Sequence, residues 1–341
     1  MVGLTPTNEA YQTFFQLDDR EPLEVLPDLV EQVRREGAKT VILMSHLSSK
    51  SDRQVAEKIP GIDVIVGGHD HVKINPPEVV NGTIIVQAGD FGQYLGRLDL
   101  TIDPETGRIT QYQGGLIPVG EDLPEDPLTQ AAMQTQQQRV ERMMAHEIGF
   151  LAAPVELTIE SECDAGDLLA DALLERLEGT QVALVLAGHW TTGLEAGQLT
   201  QGTLYAANRS TANPARAKLT GEQIVQFMRR ALDLESARRT LHALRGGALG
   251  MPHIAGMRVR YDPENLEKLE IWVGGEPIQP DRTYLVASTD MEFADFVNYL
   301  PLPLTHFEFE VPTIMPEVLE DYIVRHSPVG KPQGARIIPY C

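Results

Sequence analysis

The sequence predicts a two-domain α/β protein, and three observations carry that prediction. The first is a pair of short apolar runs, residues 41–44 and 62–66, each bounded by turn residues. Continuous apolar runs of this length suit parallel strands buried on both faces. The second is a glutamine-rich stretch, residues 128–148, with helical character but hardly any apolar stripe. A helix that is polar almost all round usually bridges domains rather than filling a core. The third is a fresh alternation of amphipathic helix and buried strand beyond Pro154. A chain of 341 residues is long enough for two such cores.

Taken in order, residues 2–5 read as the tail of a strand. Residues 23–35 carry apolar side chains at 23, 25, 26, 29, 30 and 33, which is helix spacing. The strand at 41–44 follows, then a short helix over 51–58 capped by Ser51 or Asp52, then the strand at 62–66. Residues 83–88, 95–102 and 109–118 read as further strands, the last two joined by the turn Asp103-Pro104-Glu105-Thr106-Gly107. They are expected to finish the sheet as antiparallel members. Residues 121–127 are acidic and proline-rich, a loop leading into the polar helix.

In the second half, residues 162–177 form an amphipathic helix with Asp164 or Asp167 as its cap. Residues 182–186 are a buried strand. Thr220 and Gln223 stand where a capping box would start the next helix. Residues 238–252 read as a loop, 254–262 as one alternating strand, 269–273 and 283–288 as two more, and 316–326 as a final helix.

Candidate chemistry concentrates at the ends of the first two strands. Residues 41–46 end in Ser45-His46, and residues 61–71 end in Gly67-Gly68-His69-Asp70-His71. In open α/β sheets, ligands bind outside the carboxyl ends of the strands. His46, His69 and His71 are therefore expected at one sheet edge. Neutral imidazole is a good ligand for zinc, manganese, iron, nickel or copper, and the flanking pair His69 and His71 could serve two adjacent ions.

Composition narrows the function. A net charge of −21 argues against nucleic acid or an anionic membrane surface as partner. Apolar and charged contents of 42% and 23% are those of a globular chain, and no apolar run is long enough to span a bilayer. The two cysteines, Cys163 and Cys341, are too few for a disulfide framework, and Cys163 reads as a structural thiol. Met1-Val2-Gly3 leads directly into polar sequence without a signal peptide.

Ser45-His46 followed by Gly-Ile-Asp-Val-Ile-Val-Gly-Gly-His-Asp-His resembles the last two metal motifs of calcineurin-like metallophosphoesterases, closest to their 5′-nucleotidase branch. The likeness continues over residues 80–100 and more weakly through the rest. It implies a partial four-layer α/β/β/α metallophosphoesterase domain over 1–120, a linker helix over 121–153, and an α+β 5′-nucleotidase C-terminal-like domain over 154–341. It implies two divalent ions, Zn, Mn, Fe or similar. His46 and His69 would hold one and His71 the other. The pattern departs upstream: the Asp-x-His, Gly-Asp and Gly-Asn-His-Asp/Glu motifs do not occur. No catalytic residue can thus be assigned, and the chain reads as a fragment, one half of a two-chain site, or a protein that has left the chemistry behind.

The resemblance also points to substrate loops in the second domain. Where the family has Asn-Gly-Gly-Gly-Ile-Arg, this chain has Ala187-Gly188-His189-Trp190-Thr191-Thr192. Arg209 could supply the lost charge, and Phe293 or Phe296 a stacking ring. His189, Trp190, Arg209 and Phe293 are the substrate-binding candidates. The implied activity is a metal-dependent hydrolase of a small anionic, nucleotide-like phosphoester. The alternatives are a thiosulfohydrolase-like enzyme of a sulfur-linked anion and a non-catalytic binding protein. The family is often periplasmic or extracellular.

Overall fold

A computed structural model describes residues 1–7, 16–241, 247–294 and 297–340. Phe296 and Cys341 lie outside them, as does part of the loop expected over 238–252. The chain divides into two compact units, Met1–Pro127 and Leu128–Cys341.

The first unit is built on a five-stranded sheet of order β1-β2-β3-β5-β4. Its strands are β1 (Val2–Leu4), β2 (Ile42–Ser45), β3 (Val64–Val66), β4 (Glu78–Val80) and β5 (Thr83–Val86). β1, β2, β3 and β5 run parallel, and β4 closes one edge antiparallel to β5. Helix α1 (Pro22–Arg35) starts on a proline, whose missing N–H costs nothing at that position. Its Leu26 and Val30 join Val55 and Ala56 of helix α2 (Ser49–Lys58) over Leu43, Ile65 and Ile85 of the sheet. The periodicity therefore resolves into one helix-covered sheet face. α2 starts earlier than the sequence suggests: Ser48 is its N-cap, accepting from the Ser51 N–H, and Asp52 is an internal, buried residue. β6 (Tyr94–Ile102) and β7 (Ile109–Pro118) do not extend the sheet as expected. They pair with each other as a separate two-stranded ribbon. The antiparallel edge is supplied by the short β4, too brief to stand out in the sequence.

In the second unit, α3 (Pro127–Met144) has no buried residue, in keeping with its polar sequence. It ends before Ile148, which is buried in β8 (Glu147–Leu151). Next come α4 (Asp164–Arg176), β9 (Val182–Leu186), β10 (Gly197–Thr200), α5 (Gln201–Ala207), β11 (Pro214–Thr220), α6 (Gly221–Ala231) and α7 (Leu234–Ala237). They are followed by β12 (Pro252–Ala255), β13 (Met257–Asp262), β14 (Asn265–Val273), β15 (Glu276–Pro277), β16 (Thr283–Thr289) and α8 (Asp290–Phe293). β17 (Phe307–Phe309), α9 (Met315–His326) and β18 (Ile337–Pro339) complete the unit.

The central sheet has the order β12-β9-β16-β11-β17, and a second one the order β15-β14-β13-β18. The single strand expected over 254–262 is broken at Gly256, whose φ is +73° and where a Cβ would lie 2.2 Å from the Gln181 carbonyl oxygen. The chain turns there from one sheet into the other, as only glycine can at so close an approach. Thr220 and Gln223 form the expected capping box on α6. α4 is different. Its N-cap is Cys163, and neither expected aspartate caps it. Asp167 reaches His253 instead, and Asp171 accepts both arms of Arg336 at 2.8 and 2.7 Å.

Candidate metal-site edge and the buried loops of the second unit

β2 and β3 lie side by side in parallel, with Met44 opposite Val66. Each is followed by the loop that carries the histidines, so both loops leave the sheet at the same edge. His46 and His69 meet there edge to face, with ring centroids 5.0 Å apart and planes at 73°. Gly68 lies beside the pair: a Cβ on it would sit 3.6 Å from His46 Nδ1, an ordinary contact. His71 turns away at a left-handed φ of +57°, with Nδ1 3.7 Å from Asp90 Oδ2. All three rings are exposed. The edge thus brings His46 and His69 together, while His71 stands beside Asp90.

The loop is held from behind by groups that sequence patterns do not mark. Asp70 accepts from the Ser49 N–H (2.8 Å), the Ser49 hydroxyl (2.6 Å) and Gln87 Nε2 (2.9 Å). Burial raises its pKa, but these bonds outweigh burial, and the net shift is downward. Gln87 Nε2 also donates to the Gly68 carbonyl at 3.0 Å. Deeper still, Asp52 accepts from Ser45 Oγ at 2.5 Å. Burial pushes the Asp52 carboxyl up to about 6 despite that bond. Asp52 Oδ2 and Gln87 Oε1 are both buried without a partner, and both face the space beside Gly67. Pairs such as Asp70 with Ser49 leave no trace in a sequence, because short polar residues near glycines read as ordinary loop.

The loops named from the sequence in the second unit also meet, but inward. His189 donates from Nε2 to Glu292 Oε1 (2.8 Å), and its Nδ1 lies 2.6 Å from Ser210 Oγ. Glu292 further accepts from the Leu186 N–H and from Thr289 Oγ1. Burial pushes Glu292 upward, yet the His189 charge and these bonds hold it below the ordinary range. Asp290 accepts from the Asn213 N–H and is raised by burial to about 6. Trp190 is packed in one apolar core and Phe293, with no accessible surface, in the other, where its ring lies 5.7 Å from that of Phe307. Of the four candidates, Arg209 alone is exposed. Aromatic rings at strand ends suggest stacking platforms, but the adjoining sheets have room for them inside. Ser210 and Glu292, which organise the loops, escape sequence reasoning. They lie 21 and 103 residues from His189, and no local signal links them.

Residues 147–299 match the sequence profile of the 5′-nucleotidase C-terminal domain. The chain carries a 5′-nucleotidase C-terminal domain. Its relatives include an uncharacterised metallophosphoesterase, YunD, of Bacillus subtilis (strain 168), 29% identical over 308 residues, which cover 89% of this chain and 65% of that one. Among solved structures, a putative 5′-nucleotidase from Staphylococcus aureus aligns with a TM-score of 0.71 at 14% identity, over 99% of this chain and 72% of that one. A 5′-nucleotidase precursor from Thermus thermophilus aligns at 0.53 and 22%, over 94% and 68%. These likenesses give a mixed α/β 5′-nucleotidase fold over nearly the whole chain. The chain spans about two thirds or less of the length of the first curated relatives it matches.

The likeness to metallophosphoesterases implies metal ions. Two imidazoles with ring centroids 5.0 Å apart could supply two nitrogen ligands to one ion. They do not complete a site. Among the described residues, no group of three or more His, Cys, Asp or Glu side chains is placed to hold a metal ion. The nearest carboxylate in sequence, Asp70, is already committed to Ser49 and Gln87. Also among the described residues, no helix is long and apolar enough to cross a membrane.

Proposed function

We propose that this chain contributes the second half of a two-metal phosphoester-hydrolysing centre together with its substrate-selecting domain. The observation that carries the reading is the His46–His69 pair, rings 5.0 Å apart at the ends of adjacent parallel strands. In this reading His46 and His69 hold one divalent ion and His71 the other, with the remaining donors supplied from outside the sequence in hand. Such ions lower the pKa of a bound water and clamp phosphoryl oxygens. The chain's own contribution is orientation: Asp70, Ser49 and Gln87 fix the loop from Gly67 to His71 from behind. The second half of the four-layer domain ends near residue 120, and residues 154–341 select a small anionic, nucleotide-like substrate. Arg209 is the exposed cation available to it. His189, Trp190 and Phe293 shape that region from within.

Elemental mass spectrometry of the purified protein tests the proposal, with the His46→Ala, His69→Ala double variant beside it. The expected result for the chain alone, whose two imidazoles do not complete a site, is a partial load of transition metal that is lost in the variant. A metal content that is the same in the chain and in the variant refutes metal binding at this edge and favours the non-catalytic reading.

A further inference from the structure

The first turn of α4 is wrapped around a buried imidazole from another element. Cys163 is the N-cap, Gly166 lies in the first turn, and Asp167 one turn along. The ring is that of His253 on β12, with no accessible surface. Its Nε2 lies 3.6 Å from Cys163 Sγ and its Nδ1 lies 3.1 Å from Asp167 Oδ1. Residues 163 and 167 share one helix face, so the two side chains bracket the two ring nitrogens. A Cβ on Gly166 would come within 2.1 Å of the ring, so the ring rests against bare backbone. Cys163 itself is partly exposed.

We propose that Cys163 is a reactive-thiol modification site, held as a thiolate by the imidazolium of His253, and that it takes soft electrophiles, with peroxides as the physiological class. The three residues stand in the order nucleophile, base, orienting carboxylate. Asp167 accepts the Nδ1 proton and fixes the ring, leaving Nε2–H aimed at sulfur. The helix N-terminus adds its partial positive charge at the same atom. The other charges nearby are occupied. Asp164 is paired with Lys331 Nζ at 2.8 Å. Glu162 accepts the Arg336 and Ile337 N–H groups. Arg336 lies 3.8 Å from Asp167. Burial alone would raise the Cys163 thiol, but the bond to His253 and its charge bring it below the ordinary thiol range. His253 is pushed the other way, to about 9: burial lowers it, and the bonds to Asp167 and Cys163 more than compensate.

The reaction with a peroxide balances within the site. The thiolate sulfur attacks one peroxide oxygen, forming S–O as O–O breaks. Sulfur loses two electrons and becomes a sulfenic acid. The departing oxygen takes the Nε2 proton of His253 and leaves as water or an alcohol.

The test uses the full chain and follows the Cys163 peptide by mass spectrometry after timed exposure to iodoacetamide from pH 5 to 10. An unperturbed thiol reacts with a midpoint of about 8.5. The expected midpoint for Cys163 lies well below that, with a rate at pH 6 at least about 10-fold above that of His253→Asn, and the midpoint moves upward in Asp167→Asn. Hydrogen peroxide at pH 7 followed by dimedone should place the sulfenic-acid adduct on the same peptide. A wild-type midpoint at or above 8.5, or no dimedone adduct on Cys163, overturns the proposal. The wild-type profile decides by itself should either variant fail to fold, which far-UV circular dichroism would reveal.

Discussion

Asp52→Asn should make the first unit more stable above pH 6, although it removes a charge from the centre of a hydrogen-bonded cluster. Asp52 Oδ2 and Gln87 Oε1 are both buried acceptors without a donor. Each faces the space beside Gly67, where a Cβ would lie 2.6 Å from the first and 3.2 Å from the second. Burial, aided by the nearby Asp70 charge and opposed by the Ser45 bond, holds the Asp52 carboxyl at about 6 rather than 3.8. The folded chain thus binds a proton that the unfolded chain releases between these values. Stability from this group is undiminished below pH 4, falls as pH rises to about 6, and stays low beyond. The difference amounts to about 3 kcal/mol. An asparagine amide in place of the carboxyl supplies the missing donor at every pH and can keep the Ser45 bond on its oxygen.

Tryptophan fluorescence is blind to this change, because both tryptophans, Trp190 and Trp272, lie in the second unit. Amide hydrogen exchange of β2, β3 and β5 in the presence of EDTA is the suitable assay. Exchange free energies should drop by about 2 kcal/mol between pH 4.5 and 7 in the wild type and by less than about 1 kcal/mol in the variant. A wild-type-minus-variant difference that does not change with pH refutes the reasoning. So does a variant less protected than the wild type at pH 7.

Two further outcomes follow from the same contacts. Gly67→Ala should cost the first unit about 1–3 kcal/mol by pressing a methyl on Asp52 and Gln87, seen as faster exchange of β3. Gly68→Ala, with its nearest atom at 3.6 Å, should cost less than about 1 kcal/mol there. Glu292→Ala strips the acceptor from His189, Thr289 and the Leu186 N–H at once, and should destabilise the second unit by about 3–5 kcal/mol. Urea unfolding followed by Trp190 and Trp272 fluorescence checks this, and an unshifted midpoint would show the network to be energetically idle.

The sequence is most informative where one short stretch fixes an element by itself. The runs ending at His46 and before Gly67 fix two parallel strands, and the Thr220–Gln223 box fixes a helix start to the residue. Reading fails where a partner decides. Asp167 looks like a cap until His253 arrives from 86 residues away. Residues 254–262 alternate like one strand until Gly256 meets the Gln181 carbonyl. His189 looks available for a ligand until Glu292 and Ser210 claim both ring nitrogens. Histidines that end adjacent parallel strands are legible because topology needs only local signals there. Buried polar triads are not, because each is assembled from segments with no shared periodicity.

Helix α3 has eighteen residues and none of them is buried. With no buried side chain to anchor it, opening much of such a helix costs little free energy. Proteases need an opened stretch of chain, and this one presents it ahead of either core. Limited proteolysis of the purified chain is therefore expected to cut first in α3. Once cut there, the two halves would turn over on separate clocks.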